Sequence, residues 1–298
     1  MRRTFPTHLL VALLVGVAGC VSATRLSLGP PIENANSSRP PKGWLLIVGG
    51  GGTTPNMYKK AIELGGGEAD AKVVIFPQAS ELPDTGESSA AVWRDNVLDP
   101  RHVQVADTKD EKAALALVEV ATVIWFPGGV QKRLMDALGG DLPAAIRKRY
   151  QDGALIGGTS AGAAVMSSKM ITGDYVSENG DEGGLSVVQG NTVQTDRGLG
   201  LIDWAIVDQH FFKRRRFNRL LSCVLDNYPK LIGIGIDERT SILVHDRHFE
   251  VIGENNVLVI DARDVDPKDI QVREGLPSAA LGLKVSLLTH GMGFDVRD

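Results

Sequence analysis

Cysteine is nearly absent. Two occur in 298 residues, Cys20 and Cys223, and Cys223 sits in the apolar run "RLLSCVLDNY", where it reads as core. A disulfide-stapled scaffold is therefore excluded, whatever the redox compartment. Aromatics make up only 5% of the chain and no long basic block occurs. With a formal net charge of −4, nucleic-acid binding has no footprint. No apolar run is long enough for a comfortable transmembrane helix. Metal-ligand spacings and internal repeats are also missing. What remains is 43% hydrophobic residues in a chain long enough for one large α/β domain or two small ones.

The first twenty residues, "MRRTFPTHLLVALLVGVAGC", place Arg2 and Arg3 before an apolar run from Leu9 to Val17 and small residues before Cys20. That is the layout of an export signal. "VAGC" resembles the lipobox of bacterial lipoproteins, in which the cysteine is lipidated and anchors the mature chain to a membrane of the cell envelope. Ordinary signal cleavage is the plainer alternative. Loss of residues 1–19 lowers the basic count from 32 to 30 against 36 acids, a formal charge of −6. Residues 20–42, rich in Ser, Pro, Asn and Gly, read as a tether with a reach of roughly 25 Å. Residues 43–298 read as a single domain.

From Trp44 onward, apolar runs alternate with helical patterns. "WLLIV", "KVVIFP", "HVQVA", "ATVIWFPGG" and "ALIGGTS" read as strands. "TPNMYKKAIEL", "EKAALALVEV" and "DLPAAIRKRYQDG" read as helices. Continuous apolar strands separated by helices predict an α/β fold, a mostly parallel sheet covered on both faces. After the strand "DWAIVDQHF", a helix is expected with Phe217, Leu220, Leu221, Val224 and Leu225 on its apolar stripe. "GIGIDERTSILVHDRHFEVIGENNVLVIDA" reads as short antiparallel strands, and "LKVSLLTHG" as one more.

Gly158-Thr159-Ser160-Ala161-Gly162 fits G-x-S-x-G between a strand and a helix, the context that a nucleophile elbow requires. Small neighbours let chain segments pass close to a residue raised on a sharp turn, and the following helix offers unpaired amides to a developing oxyanion. A glycine-rich turn whose serine caps the helix would look the same. A nucleophilic serine needs a base. Among His102, His210, His245, His248 and His290, only His210 lies at the end of an expected strand, where α/β sites collect. His245 and His248 in "VHDRHF" lack a third ligand and read as a hairpin turn. Asp237 or Glu238, also after an apolar strand, could orient His210. Ser…His…acid is not the α/β-hydrolase order, so the elbow alone does not place the chain there. Gly49–Gly52 lacks the Walker lysine and the dinucleotide spacing and reads as a turn, and no metal or cofactor is expected.

"GGTSAGAAVMS", "DQHFFKRRRFNRL" and "GIGIDERTSILV", in that order, resemble the S51 serine-peptidase family, which includes cyanophycinase and aspartyl dipeptidase. The likeness runs from about Trp44 to about Ala262 and takes in "GGG", "FPQAS" and "FPGG". It implies a fold like class I glutamine amidotransferases and a serine-type peptidase. It also implies Ser160 as nucleophile, His210 as base and Glu238 as the orienting acid, with Asp237 as a substitute. Amides of Ala161 and Gly129 would form the oxyanion hole. Gln131, Asp208, Gln209, Arg214, Arg216 and Arg219 match a pocket for β-aspartyl-arginine units. On one continuous helix these arginines would not converge, with Arg215 and Arg219 pointing away from the apolar stripe, unless the stretch begins as a loop. Where the family has Asp after the Gly-Gly pair, this chain has Val130, which leaves substrate detail near that loop open. The acidic segment Ser177–Gly184 reads as a surface loop. The expected substrate is a cyanophycin-like Asp/Arg polymer, with short aspartyl or isoaspartyl peptides as one alternative and a non-catalytic binding lipoprotein as another. A homodimer is left open.

Overall fold

The computed structural model describes residues 40–175, 180–181 and 184–296. The lipidation site Cys20, the signal, nearly all of the tether and most of Ser177–Gly184 lie outside them. Along the chain come β1 (Trp44–Val48), α1 (Pro55–Leu64), β2 (Val73–Ile75), α2 (Thr85–Arg94), β3 (Val103–Val105), α3 (Glu111–Val120), β4 (Val123–Phe126), α4 (Gln131–Ala137), α5 (Leu142–Asp152), β5 (Leu155–Thr159) and α6 (Ala161–Ala164). There follow β6 (Lys169–Tyr175), β7 (Gly180–Asp181), β8 (Gly184–Leu185), β9 (Val193–Arg197), β10 (Ala205–Gln209), α7 (Phe217–Asp226), β11 (Ile232–Ile236), β12 (Thr240–His245), β13 (His248–Gly253), β14 (Val257–Asp261), β15 (Ile270–Gln271), β16 (Ala279–Ala280), β17 (Lys284–Leu288) and β18 (Gly293–Asp295).

The larger sheet has the order β18-β13-β12-β1-β5-β4-β2-β3, parallel from β1 to β3 and antiparallel at its other edge. Its strands β1, β2 and β4 are apolar throughout because both faces are covered there. Leu46, Val48, Val73, Ile75 and Trp125 pack with Met57 and Ala61 of α1 and Trp93 of α2. The alternate residues Leu45, Ile47, Val74, Ile124 and Ile156 pack with Val118 of α3, Ile146 of α5 and Ala163 of α6. The expected α/β fold with antiparallel late strands is the observed one.

Two expectations need correction. The run 232–261 is not wholly antiparallel: β11 pairs parallel with β10 and belongs to a second sheet, β10-β11-β14-β17. Only β12 and β13 join the larger sheet. Periodicity reveals a buried strand but not its partner. The stripe on α7 also differs. Phe217 is 42% exposed, while Arg219, Ser222 and Cys223 are buried with Leu220, Val224 and Leu225.

Candidate active site

β5 ends at the elbow. Ser160 has φ 54° and ψ −109°, a conformation that an L-residue holds only when its surroundings fix it. Here its amide donates to Val48 O of the neighbouring strand over 3.0 Å. Gly162 is required at the crossing that follows, because a Cβ there would stand 2.8 Å from Phe126 Cβ and closer still to the Phe126 carbonyl. The elbow therefore folds for local reasons of size.

His210 reaches Ser160 from the second sheet. β10 and β11 are parallel in the register Gln209↔Ile236, so the residues just beyond them, His210 and Asp237-Glu238, emerge side by side. Ser160 Oγ lies 2.9 Å from His210 Nε2, and His210 Nδ1 lies 2.8 Å from Glu238 Oε1. With Nδ1 protonated, the imidazole donates to the carboxylate and accepts from the serine hydroxyl. Asp237 is otherwise engaged: its Oδ1 accepts the amide of Lys213 over 3.1 Å. The two sheets are tied at this point by His210 N donating to Gly49 O, 2.7 Å, and Arg239 N donating to Gly50 O, 2.8 Å. Ser167, just past α6, is wholly buried and accepts the Val207 amide over 3.1 Å, linking the elbow to the histidine-bearing strand.

The glycine run at Gly49–Gly52 forms the floor of the site. A Cβ on Gly50 (φ 103°) would stand 2.5 Å from His210 Nε2, and one on Gly51 would stand 2.5 Å from Glu238 Cβ. The sequence shows these glycines as a turn, but nothing in it says that an imidazole lies on them. Ser167 gave no signal at all.

His210 is 7% exposed, and its pKa falls below the ordinary histidine value. Burial is the main cause, the Glu238 hydrogen bond opposes it, and the Arg214 and Arg216 charges add to it. A neutral imidazole at neutral pH is the form able to take a proton.

Ala161 opens α6, so its amide has no intrahelical partner. Of the Gly-Gly pair, Gly128 faces Ser160, where a Cβ would be 3.9 Å from its Oγ. The peptide that carries the Gly129 amide follows directly. Val130 N donates to Ala79 O over 2.8 Å, so the "FPQAS" loop braces this one. Val130 occupies the N-cap position of α4, 48% exposed and without a side-chain cap. An acid there would be placed to cap the helix.

The expected pocket residues divide sharply. Asp208 is fully buried and Arg219 is 2% exposed. They pair with each other, Arg219 Nε to Asp208 Oδ2 at 2.9 Å and Arg219 Nη2 to Asp208 Oδ1. Neither offers surface to a substrate, which corrects their expected role. Arg219 points inward, not outward, because Asp208 on β10 neutralises it beneath α7. Arg216 donates to Gln209 O over 2.6 Å and lies 3.6 Å from Asp208 Oδ1, so it too supports the backbone that bears His210. Gln131 is buried and donates to Ile171 O over 2.9 Å, joining α4 to β6. Gln209 is 5% exposed, and its Oε1 has no hydrogen-bond partner among the described residues. Only Arg214 is exposed. The stretch does begin as a loop, since α7 starts at Phe217, and Arg215 faces solvent as expected.

The other histidines lie elsewhere. His245 stacks on Trp44 and bonds to Gly43 O, and His248 bonds to Asp295. Among the described residues no group of three or more His, Cys, Asp or Glu could hold a metal ion, and no helix is long and apolar enough to cross a membrane.

A strained serine on a strand-to-helix turn, within reach of a buried imidazole, is the arrangement of a serine-type hydrolase. Comparison with known proteins gives the family. The profile of peptidase family S51 matches residues 45–252. A cyanophycinase of Geminocystis herdmanii is 36% identical over 236 residues, covering 76% of this chain and 82% of that protein. A cyanophycinase of a Nostoc species is 33% identical over 240 residues, 76% of each. The crystal structure of a peptidase from an acI-B1 Actinobacterium shares the fold, with a TM-score of 0.58 at 24% identity over 85% of this chain and 97% of that one. This chain belongs to peptidase family S51, and it is a serine-type peptidase of cyanophycinase-like kind.

Proposed function

We propose that the chain hydrolyses aspartyl peptide bonds in a cyanophycin-like Asp/Arg polymer, releasing β-Asp-Arg dipeptides, with Ser160, His210 and Glu238 acting together. The observation that carries this is the continuous line of hydrogen bonds from Ser160 Oγ through His210 to Glu238, at 2.9 and 2.8 Å. Ser160 Oγ attacks the carbonyl carbon while His210 Nε2 takes the hydroxyl proton. The amides of Ala161 and Gly129 receive the oxyanion. His210 then passes the proton to the leaving amine as the C–N bond breaks, and water, activated by the same imidazole, releases the acyl group. Glu238 holds the tautomer throughout. The substrate follows the relatives, which are named cyanophycinases. Masses of the products released from cyanophycin by wild type and by Ser160→Ala test the reading. Dipeptide release that survives in the variant would defeat it.

The same reading places the enzyme outside the cytoplasm, anchored through a lipid on Cys20 and held off the membrane by residues 20–42. An external polymer is then food and not a store, and short aspartyl or isoaspartyl peptides are a second substrate group suited to that location. Membrane fractionation of wild type and Cys20→Ala, with the mass of the mature amino terminus, tests the anchor.

A further inference from the structure

Glu238 stands where the chain crosses between the two sheets. β11 belongs to the second sheet and β12 to the larger one, so residues 237–239 span the gap. β13 and β14 make the return crossing through residues 254–256. The pairings Ile236↔Val257 and Thr240↔Gly253 set the two short connections side by side. Glycine is required at the near end, since a Cβ on Gly253 would stand 2.5 Å from both Arg239 O and Thr240 Cα.

The return crossing grips the backbone that carries Glu238. Asn255 Nδ2 donates to Glu238 O over 2.8 Å. Thr240 Oγ1, in a fully buried residue, donates to the same oxygen over 3.1 Å and accepts the Asn255 amide over 2.8 Å. On either side, Asp237 N donates to Asn256 O at 3.2 Å and Glu254 N to Arg239 O at 3.1 Å. Arg239 has φ 54°, which an L-residue keeps only where its partners fix it. Its guanidinium forks onto Glu254, Nε to Oε2 at 2.6 Å and Nη2 to Oε1 at 2.5 Å. Residues 237, 238 and 239 are thus each bonded to the facing connection.

The Glu238 side chain has far fewer restraints than its backbone. Its stem rests on Gly51, and among the described residues its carboxylate bonds to His210 Nδ1 alone. The aim of the carboxylate is therefore set by the peptide that bears it. We propose that Asn255 is a positioning residue: from the return crossing it fixes the Glu238 peptide and so holds the carboxylate on the imidazole, with the Arg239–Glu254 pair as its support. The inference rests on the hydrolytic reading above and adds to it a residue that touches neither substrate nor histidine.

The test compares Asn255→Ala with wild type on a single aspartyl peptide. Asn255 is exposed, so the variant removes no core group. Its kcat should fall about tenfold, short of the roughly 10²-fold loss that a 1 Å misplacement brings, with KM within about twofold. The acid limb of kcat/KM should move to lower pH. The Glu238 hydrogen bond raises the His210 pKa against burial, while the Arg214 and Arg216 charges stay as they are. In a Glu238→Ala background the same substitution should have no further effect, because its action passes through that carboxylate. Glu254→Ala, which breaks the exposed ion pair, should lower kcat by about threefold. If Asn255→Ala does not fold, Glu254→Ala carries the same readouts. A wild-type kcat, an acid limb that stays in place, or an equal loss in the Glu238→Ala background overturns the inference and leaves the hydrolytic reading standing. A wild-type kcat in Glu238→Ala itself overturns both.

Discussion

Gly50 lies flat under the imidazole of His210, so close that a single Cβ would stand 2.5 Å from Nε2. The ring's position is thus set from below by the absence of a side chain and from its two ends by Ser160 and Glu238. Gly50→Ala must push the ring off the serine or strain a backbone already at φ 103°. We expect kcat to fall by about 10²-fold or more, since displacements of about 1 Å have that effect. Circular dichroism and Tm should show a folded protein. A variant with wild-type kcat would mean that the imidazole has room to spare.

Ser160→Ala and His210→Ala should each reduce kcat by about 10⁴-fold or more, and the double variant should be little worse, because the two act as one unit. Additive losses, measured with a single aspartyl peptide, would mean that the residues contribute independently.

The pH dependence follows from the burial of His210. Its pKa is below the usual value of about 6.5, so kcat/KM should fall on the acid side with an apparent pKa lower than that. Arg214→Gln removes a charge that depresses it and should move the acid limb upward. The sign for stability agrees. A histidine whose folded pKa is depressed binds fewer protons than the unfolded chain, so stability is full above about pH 6.5 and declines as pH falls through the folded value. An acid limb that stays in place in the Arg214 variant would rule out this electrostatic origin.

Asp208 and Arg219 form a pair with no room for solvent. Asp208→Asn or Arg219→Met removes one side of a buried ion pair and should cost about 3–5 kcal/mol of stability, read by urea denaturation. A change confined to KM, with stability intact, would return these residues to the substrate pocket.

Val130 occupies a helix N-cap that its side chain cannot satisfy. Val130→Asp should stabilise the fold by about 1 kcal/mol. If Tm is unchanged while kcat/KM shifts, position 130 acts in substrate recognition and not in capping.

Residue order alone marked the elbow motif, the apolar strands and the helices α1, α3 and α5, though not α2 or α4, because size and periodicity act over a few neighbours. Gly158-Thr159-Ser160-Ala161-Gly162 could be read from five letters, and His210 from its place after a strand. The choice between Asp237 and Glu238 could not be read from their positions alone. Adjacent residues on one turn point in different directions, and only the tertiary structure shows that Glu238 meets the imidazole while Asp237 takes the Lys213 amide. The fate of Arg219 was also hidden, since a cation on an apolar helix face is tolerated only where a partner such as Asp208 arrives from another strand. Local sequence fixes what each segment can become. Which side chains meet across 50 positions depends on how the two sheets come together.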